Sequence, residues 1–451
     1  MLPVSVEDAF AYHDRKGALK RLIPPWESVR VEKSDNSLQV GSRVVLRQSL
    51  FGIPLRWVAE HTAYEPPTRF ADRQVSGPFA QWEHEHRFEG LNEHCTLTDD
   101  IHYRAPGGPL GRIADGILIR KTIERMFAYR HRITRDDLEL QSKYELSPQR
   151  IAISGASGLL GSSLTAMLSL LGHHVRPIVR GEAKDESEIA IWHDAKEVEK
   201  LNDIDVVIHL AGKPIAAERW SESVKQEIRD SRVIKTRSLA EAMASVPKPP
   251  AVLLCASGSG IYGDRGDEVL TEASELGDDF LADVARQWET ACQPASAAGV
   301  RVVNTRFGIV MSPTDGALAK CLLPAKFMGG KLGSGKQWWP WIALDDVLGG
   351  LYHCMATPSI EGAVNFTSPQ PLRNADFAKT LGAVLSRPAV FPAPAFALRL
   401  ALGEMADDLL LSSTRAMPTK LSETGYRFRF ETLEDALRYC LGCNRLESSV
   451  T

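Results

Sequence analysis

The stretch Ile151-Ala152-Ile153-Ser154-Gly155-Ala156-Ser157-Gly158-Leu159-Leu160-Gly161 decides the fold. An apolar run enters three glycines, and beyond them Leu164, Met167, Leu168 and Leu171 recur at helical spacing with no proline. That order predicts a buried strand, a tight turn and a helix packed back on the strand. Gly155 suits the turn, Gly158 lets main chain approach a pyrophosphate, and Gly161 lets the helix lie close to the strand. The free N–H groups of the new helix would then face the anion. The stretch therefore reads as a dinucleotide cradle, with Gly155, Ser157, Gly158, Leu159, Leu160 and Gly161 as cofactor contacts.

Working outward, strand and helix patterns alternate, as a doubly wound parallel sheet requires. The second strand, Val175 to Val179, ends in Arg180, with no carboxylate where a ribose-binding Asp or Glu would sit. An arginine there suits a 2′-phosphate, so NADP is expected over NAD. Pro177 is awkward inside a central strand, which predicts a short one. Asp205 to Gly212 is a buried strand ending in small residues, with Leu210, Ala211 and Gly212 expected to lie against the cofactor. Ser221 to Val246 reads as a long helix with a capping box at Ser223 and Gln226. Strands are expected at Ala251–Ser257 and at Arg301–Met311, the latter with a turn at Phe307-Gly308.

These segments resemble the extended short-chain dehydrogenase/reductase superfamily, in its epimerase-like branch. The phrases that carry the resemblance are Leu210-Ala211-Gly212-x-Pro214-Ile215, Glu227-Ile228-Arg229-x-Ser231-Arg232, Gly333-Ser334-Gly335-x-Gln337-x-x-x-Trp341-Ile342 and Asp345-Asp346-Val347. Pro371-x-Arg373-Asn374 and Arg387-Pro388 resemble the branch's C-terminal extension. The resemblance implies a Rossmann-type sheet over 150–370, a small C-terminal substrate lobe over 371–446, and a homodimer through the helix Ser221–Val246.

Relatives of this kind use a Tyr-x-x-x-Lys couple, in which lysine lowers the phenol pKa so that a proton can move while hydride is transferred. Here the corresponding helix reads Asp279-Phe280-Leu281-Ala282-Asp283-Val284-Ala285-Arg286-Gln287-Trp288-Glu289, and neither residue is present. Candidates for chemistry are Ser257 and Tyr262, with Ser259, Lys336, Gln337 and Trp341 placed over the substrate. The run Gly330-Lys331-Leu332-Gly333-Ser334-Gly335-Lys336-Gln337 imitates an ATPase phosphate loop. It lacks the Ser or Thr for magnesium, and Pro340 bars the helix that should follow.

Residues 1–146 have a different texture, with alternating segments that predict an α+β domain. Strands fit Val29–Lys33, Arg43–Leu50, Leu55–His61, Arg69–Gln74, Gln81–Glu89 and Cys95–Tyr103, and a helix fits Ile113–Tyr129. In Trp82-Glu83-His84-Glu85-His86-Arg87-Phe88, alternation puts Trp82, His84, His86 and Phe88 on one side, where they either line a cavity or fill the core. With Phe70-x-Asp72-x-Gln74-x-x-Gly77-Pro78-Phe79 before it, this stretch resembles the START-like helix-grip (SRPBCC) superfamily. The resemblance implies an apolar ligand on the Trp82–Phe88 face. His84 and His86 offer two metal donors but no third ligand can be placed, so hydrogen-bonded structural histidines and no metal are expected.

Composition sets the frame. A chain of 451 residues exceeds one ordinary core, and 44% hydrophobic with 24% charged residues fits a globular, multidomain protein. A net charge of −4 gives no case for nucleic acid or an anionic membrane. Seven scattered cysteines form no disulfide framework, which points to a reducing cytoplasm. No leader and no membrane span are read. The expected function is an NADP-dependent oxidoreductase or epimerase-like enzyme acting on a small-molecule substrate; the alternative is a non-catalytic NADP(H) sensor that has lost the Tyr/Lys couple.

Overall fold

The computed structural model describes residues 1–50, 53–107 and 119–444. The chain divides into two compact units, Met1–Ser147 with Ala166–His173, and Pro148–Thr165 with His174–Cys443.

In the first unit, helices α1 (Val6–Asp14) and α2 (Ala18–Leu22) precede six strands: β1 (Val29–Ser34), β2 (Arg43–Leu50), β3 (Ile53–Glu65), β4 (Arg69–Ser76), β5 (Gln81–Leu91) and β6 (His94–Arg104). They form one antiparallel sheet in chain order, the meander that the alternation predicts. A long helix α3 (Arg120–Tyr144) follows. The helix expected over Ile113–Tyr129 lies partly outside the described residues, and its C-terminal end moves fifteen residues on. No glycine or proline interrupts the sequence before Pro148, and Ile133 and Leu138 are wholly buried, so the apolar stripe continues through a strongly charged stretch. Asp137 on α3 accepts from Arg21 twice, at 2.8 Å each, and from Tyr12 at 2.9 Å, tying α1 and α2 to the helix.

The second unit is built on β7 (Arg150–Ser154), the start of α4 (Leu159–Leu170, which is grouped with the first unit from Ala166 on), β8 (His174–Ile178), β9 (Val206–His209), α5 (Glu222–Ser245), β10 (Val252–Gly258), α6 (Phe280–Thr290), β11 (Arg301–Phe307) and β12 (Gly362–Phe366). Its six-stranded sheet runs β12-β11-β10-β9-β7-β8, and every pairing is parallel. The chain passes from β7 to β8 on one side and then crosses to β9 on the other side of β7, so the strand order reverses there and opens a crevice at the carboxyl ends of the strands. Pro177 lies within β8, which is short, as expected. It is tolerated because β8 is the edge strand: the Pro177 carbonyl accepts from Ile189 at 2.9 Å on the outer side, so its missing N–H faces away from β7. The cap of α5 is Ser221, whose hydroxyl accepts from Val224 N at 3.3 Å; Ser223 is already helical and cannot serve.

The C-terminal segments close the unit by pairing with it. Val269–Leu270 pairs with Arg415–Ala416, and Trp338–Trp339 with Leu372–Arg373. The glycine run after Met328 forms a strand and a turn with no helix behind it, as its rejection as an ATPase loop requires.

Candidate functional site

At the end of β7, the Ser154 hydroxyl meets His209 Nδ1 on β9 at 2.5 Å. The chain then turns at Gly155, whose φ of +74° lies in the left-handed region that glycine occupies freely. A Cβ on Gly155 would stand 3.0 Å from Ala211 N, so the turn is pressed against the Leu210-Ala211-Gly212 end of β9. A Cβ on Gly161 would stand 2.1 Å from Gly155 O. Ser157 and Gly158 are exposed, and α4 begins at Leu159, so the first-turn N–H groups of Leu159, Leu160 and Gly161 have no helical partner. Arg180 stands exposed at the end of β8, with no ion pair among the described residues. The structure thus brings the expected cofactor contacts to one place. Exposed backbone and a helix N-terminus fit the pyrophosphate of a dinucleotide.

A cleft of about 390 Å³ opens beside this turn. Leu281, Ala285 and Trp288 of α6 line it, so the helix that carries Tyr and Lys in better-known relatives presents an apolar face. Ser257 and Ser259 reach the cleft, but the Ser257 hydroxyl donates to Glu289 at 2.8 Å. Tyr262 does not line it: its ring is wholly buried, and its hydroxyl donates to Asn365 at 2.7 Å and accepts from Arg306 at 2.9 Å. Burial raises its pKa, with Arg306 opposing. Arg306 is itself clamped to Glu289 at 2.8 and 2.9 Å. Gln337 and Trp341 are also buried. Gln337 donates to Leu332 O and Leu410 O, and Trp341 to Gln370 O, so both brace the lobe while Trp338 and Trp339 form the wall in their place. Lys336 is exposed and lies outside the lining.

Two residues that sequence reasoning missed supply the ionisable side chains of this lining. Arg232 of α5 is 6% exposed, sits 5.0 Å over the Trp288 ring and has no carboxylate partner among the described residues; burial lowers its pKa to about 10. Its guanidinium would lie 3.3 Å from a Cβ on Gly212, behind the cofactor strand. Asp408 lies on a π-helical turn, Asp407–Leu411, of the C-terminal lobe. Its Oδ2 is buried without a hydrogen-bond partner among the described residues, and burial, reinforced by Asp279 and Glu404, raises its pKa to about 6. An uncommon helix type, an unpartnered carboxylate and a pKa near neutrality together are typical of functional sites. Arg232 stood within a phrase already singled out; Asp408 had no local signal, because only the fold carries it to the cleft.

The first unit has its own cavity, of about 220 Å³. Trp82, His84 and His86 line it, while Phe88 packs behind against Phe10 and His13, with ring centroids 5.4 and 5.2 Å away. The alternating face thus divides between cavity and core. His84 Nε2 is 3.0 Å from Asp99 and its Nδ1 3.3 Å from Asp72. Burial opposes protonation of His84, but the two carboxylates outweigh it and raise its pKa to about 9.

Three family models match the chain: polyketide cyclase / dehydrase and lipid transport at 2–128, the NAD dependent epimerase/dehydratase family at 151–365, and a domain of unknown function (DUF1731) at 393–440. Epimerase family protein Mb2239 of Mycobacterium bovis is 41% identical over 64% of this chain and 96% of its own length. YfhF, an epimerase family protein of Bacillus subtilis, is 38% identical over 64% and 96%. The crystal structure of a nucleoside-diphosphate sugar epimerase from Corynebacterium glutamicum is similar over 99% of this chain and 90% of its own, with a TM-score of 0.81 and 33% identity. Human SDR39U1, solved with NADPH, is 30% identical with a TM-score of 0.60 over 65% of this chain and 99% of its own.

Proposed function

The chain belongs to the NAD dependent epimerase/dehydratase family, and from that premise we propose that it is an NADP-dependent oxidoreductase or epimerase-like enzyme whose proton transfer uses Asp408 in place of the absent tyrosine. Bound dinucleotide would supply or accept the hydride. The observation that carries the reading is that Arg232 and Asp408 are the ionisable side chains lining an otherwise apolar and hydroxyl-bearing cleft. A carboxyl raised to about 6 can hold or release a proton near neutrality. Arg232 offers a fixed positive charge to an anionic group beside Gly212. Apolar walls from Leu281, Trp288 and Trp339 favour a small, largely apolar substrate with one hydroxyl or carbonyl. The exposed Arg180 and the NADPH bound by the human relative support NADPH over NADH. In the first unit, Leu46, Trp57 and Met126 on the cavity wall support an apolar ligand body.

The test begins with fluorescence titration of NADPH and NADH on wild type, Gly158→Trp and Arg180→Glu. NADPH should bind to wild type, fail with Gly158→Trp and lose its preference with Arg180→Glu. A carbonyl panel then reads NADPH oxidation, and Asp408→Asn should cut turnover on the order of 10²–10⁴-fold with NADPH affinity unchanged. The apolar face of α6 favours a second reading, the non-catalytic NADP(H) sensor. Binding of NADPH without turnover of any substrate would decide for it.

A further inference from the structure

The floor of the first unit's cavity is built by cross-strand register. His61 of β3 pairs with Asp72 of β4, which pairs with His84 of β5; one row on, Phe70 pairs with His86 and His86 with Asp99 of β6. Antiparallel partners point to the same face, so Asp72, His84, His86 and Asp99 converge on the cavity. One donor atom from each of Asp72, His84 and His86 lies within 4.8 Å of the others.

We propose that Asp72, His84 and His86 bind a divalent first-row transition ion of the zinc class, and that Asp99 holds both imidazoles in position from behind. His84 Nε2 is engaged by Asp99 Oδ1 at 3.0 Å, which leaves Nδ1 as the donor, and Nδ1 stands 3.3 Å from Asp72 Oδ2. Two ligands each about 2.0 Å from a tetrahedral ion are separated by about that distance. Asp99 Oδ1 also lies 2.5 Å from His86 Nδ1, a charge contact outside hydrogen-bond geometry, and His86 supplies one ring nitrogen to the set. The remaining Asp99 oxygen takes His131 of α3, so the carboxylate is itself fixed. A carboxylate hydrogen-bonded behind a ligating histidine, as Asp99 is behind His84, sets tautomer and ring orientation at metal sites.

Among the described residues of the cavity lining, Asp14, Asp72 and Asp99 face Arg15, Lys16 and Arg130, and the carboxylates beside the paired histidines are Asp72 and Asp99. Two imidazoles favour a transition ion over magnesium or calcium. Three protein ligands beside a 220 Å³ cavity leave a coordination position for water or a ligand's oxygen, as in exchangeable rather than closed structural sites. The competing arrangement is a protonated His84 that bridges the two carboxylates and makes an ion unnecessary.

The experiment is a titration of the chelator-stripped full-length protein with Co²⁺, read by visible absorption, and with Zn²⁺, read by competition with a chromogenic chelator. One equivalent should bind, with cobalt d–d bands and no thiolate charge-transfer band. His86→Gln and Asp72→Asn should each weaken Zn²⁺ at least about 100-fold, and Asp99→Asn by about 10- to 100-fold. Should a variant fail to fold by circular dichroism, X-ray absorption of the wild-type zinc protein tests the ligand set directly, with two imidazoles and oxygen donors expected. Absence of saturable binding, a sulfur ligand, or full affinity in both ligand variants overturns the site.

Discussion

A Cβ at Gly161 would stand 2.1 Å from the Gly155 carbonyl oxygen, whereas one at Gly158 meets that atom at 3.4 Å, an ordinary contact. The two glycines of one turn therefore have different duties. Gly161→Ala forces backbone apart and should cost about 3 kcal/mol or more in denaturant unfolding. Gly158→Ala should fold with wild-type stability, and its loss should be in NADPH affinity alone. At Asp408 the burial that raises the carboxyl to about 6 links function to stability. Unfolded, the group titrates near 3.8, so between these values the folded chain keeps a proton that the unfolded chain has released, and stability falls as pH rises through that window. Above about pH 6 the native state holds a poorly solvated charge. Asp408→Asn removes it, so the variant's Tm should exceed that of wild type near pH 8, and the gain should fade toward about pH 4.

At the scale of elements, α3 depends on one carboxylate. The side chains of Arg21 and Asp137 are 5% and 0% exposed, and Asp137→Ala would leave a buried guanidinium and a buried phenol without their shared acceptor. Removing one partner of such a pair costs about 3–5 kcal/mol, which chemical denaturation would measure. The conservative Asp137→Asn keeps an acceptor and should cost less. Strand positions were legible because alternation and glycine turns are local signals: β4, β5 and the turn at Gly155 fall where the residues alone put them. The end of α3 was not, because its last turns are charged outside and owe their helicity to Ile133 and Leu138 packing inward. The cleft shows the same limit. The empty Tyr/Lys positions on α6 could be read directly. Asp408 could not, since it reaches the cleft through a lobe more than a hundred residues downstream.

For the whole molecule, two units with separate cavities should respond separately to what they bind. NADPH at about 100 times its dissociation constant adds about 2.7 kcal/mol to the unit that binds it. In calorimetry it should move the unfolding of the α/β unit and leave that of the antiparallel unit in place, and Zn²⁺ should do the reverse. A single transition moved equally by either would show that the two cores unfold as one. The edge strand β8 has a last consequence. Its outer rim carries Pro177, which offers no donor, and the neighbouring positions are already engaged by Ile189. A strand from another molecule finds few open pairing groups there, so this rim of the sheet resists edge-to-edge growth into aggregates, and concentrated protein should be spared self-association by that route.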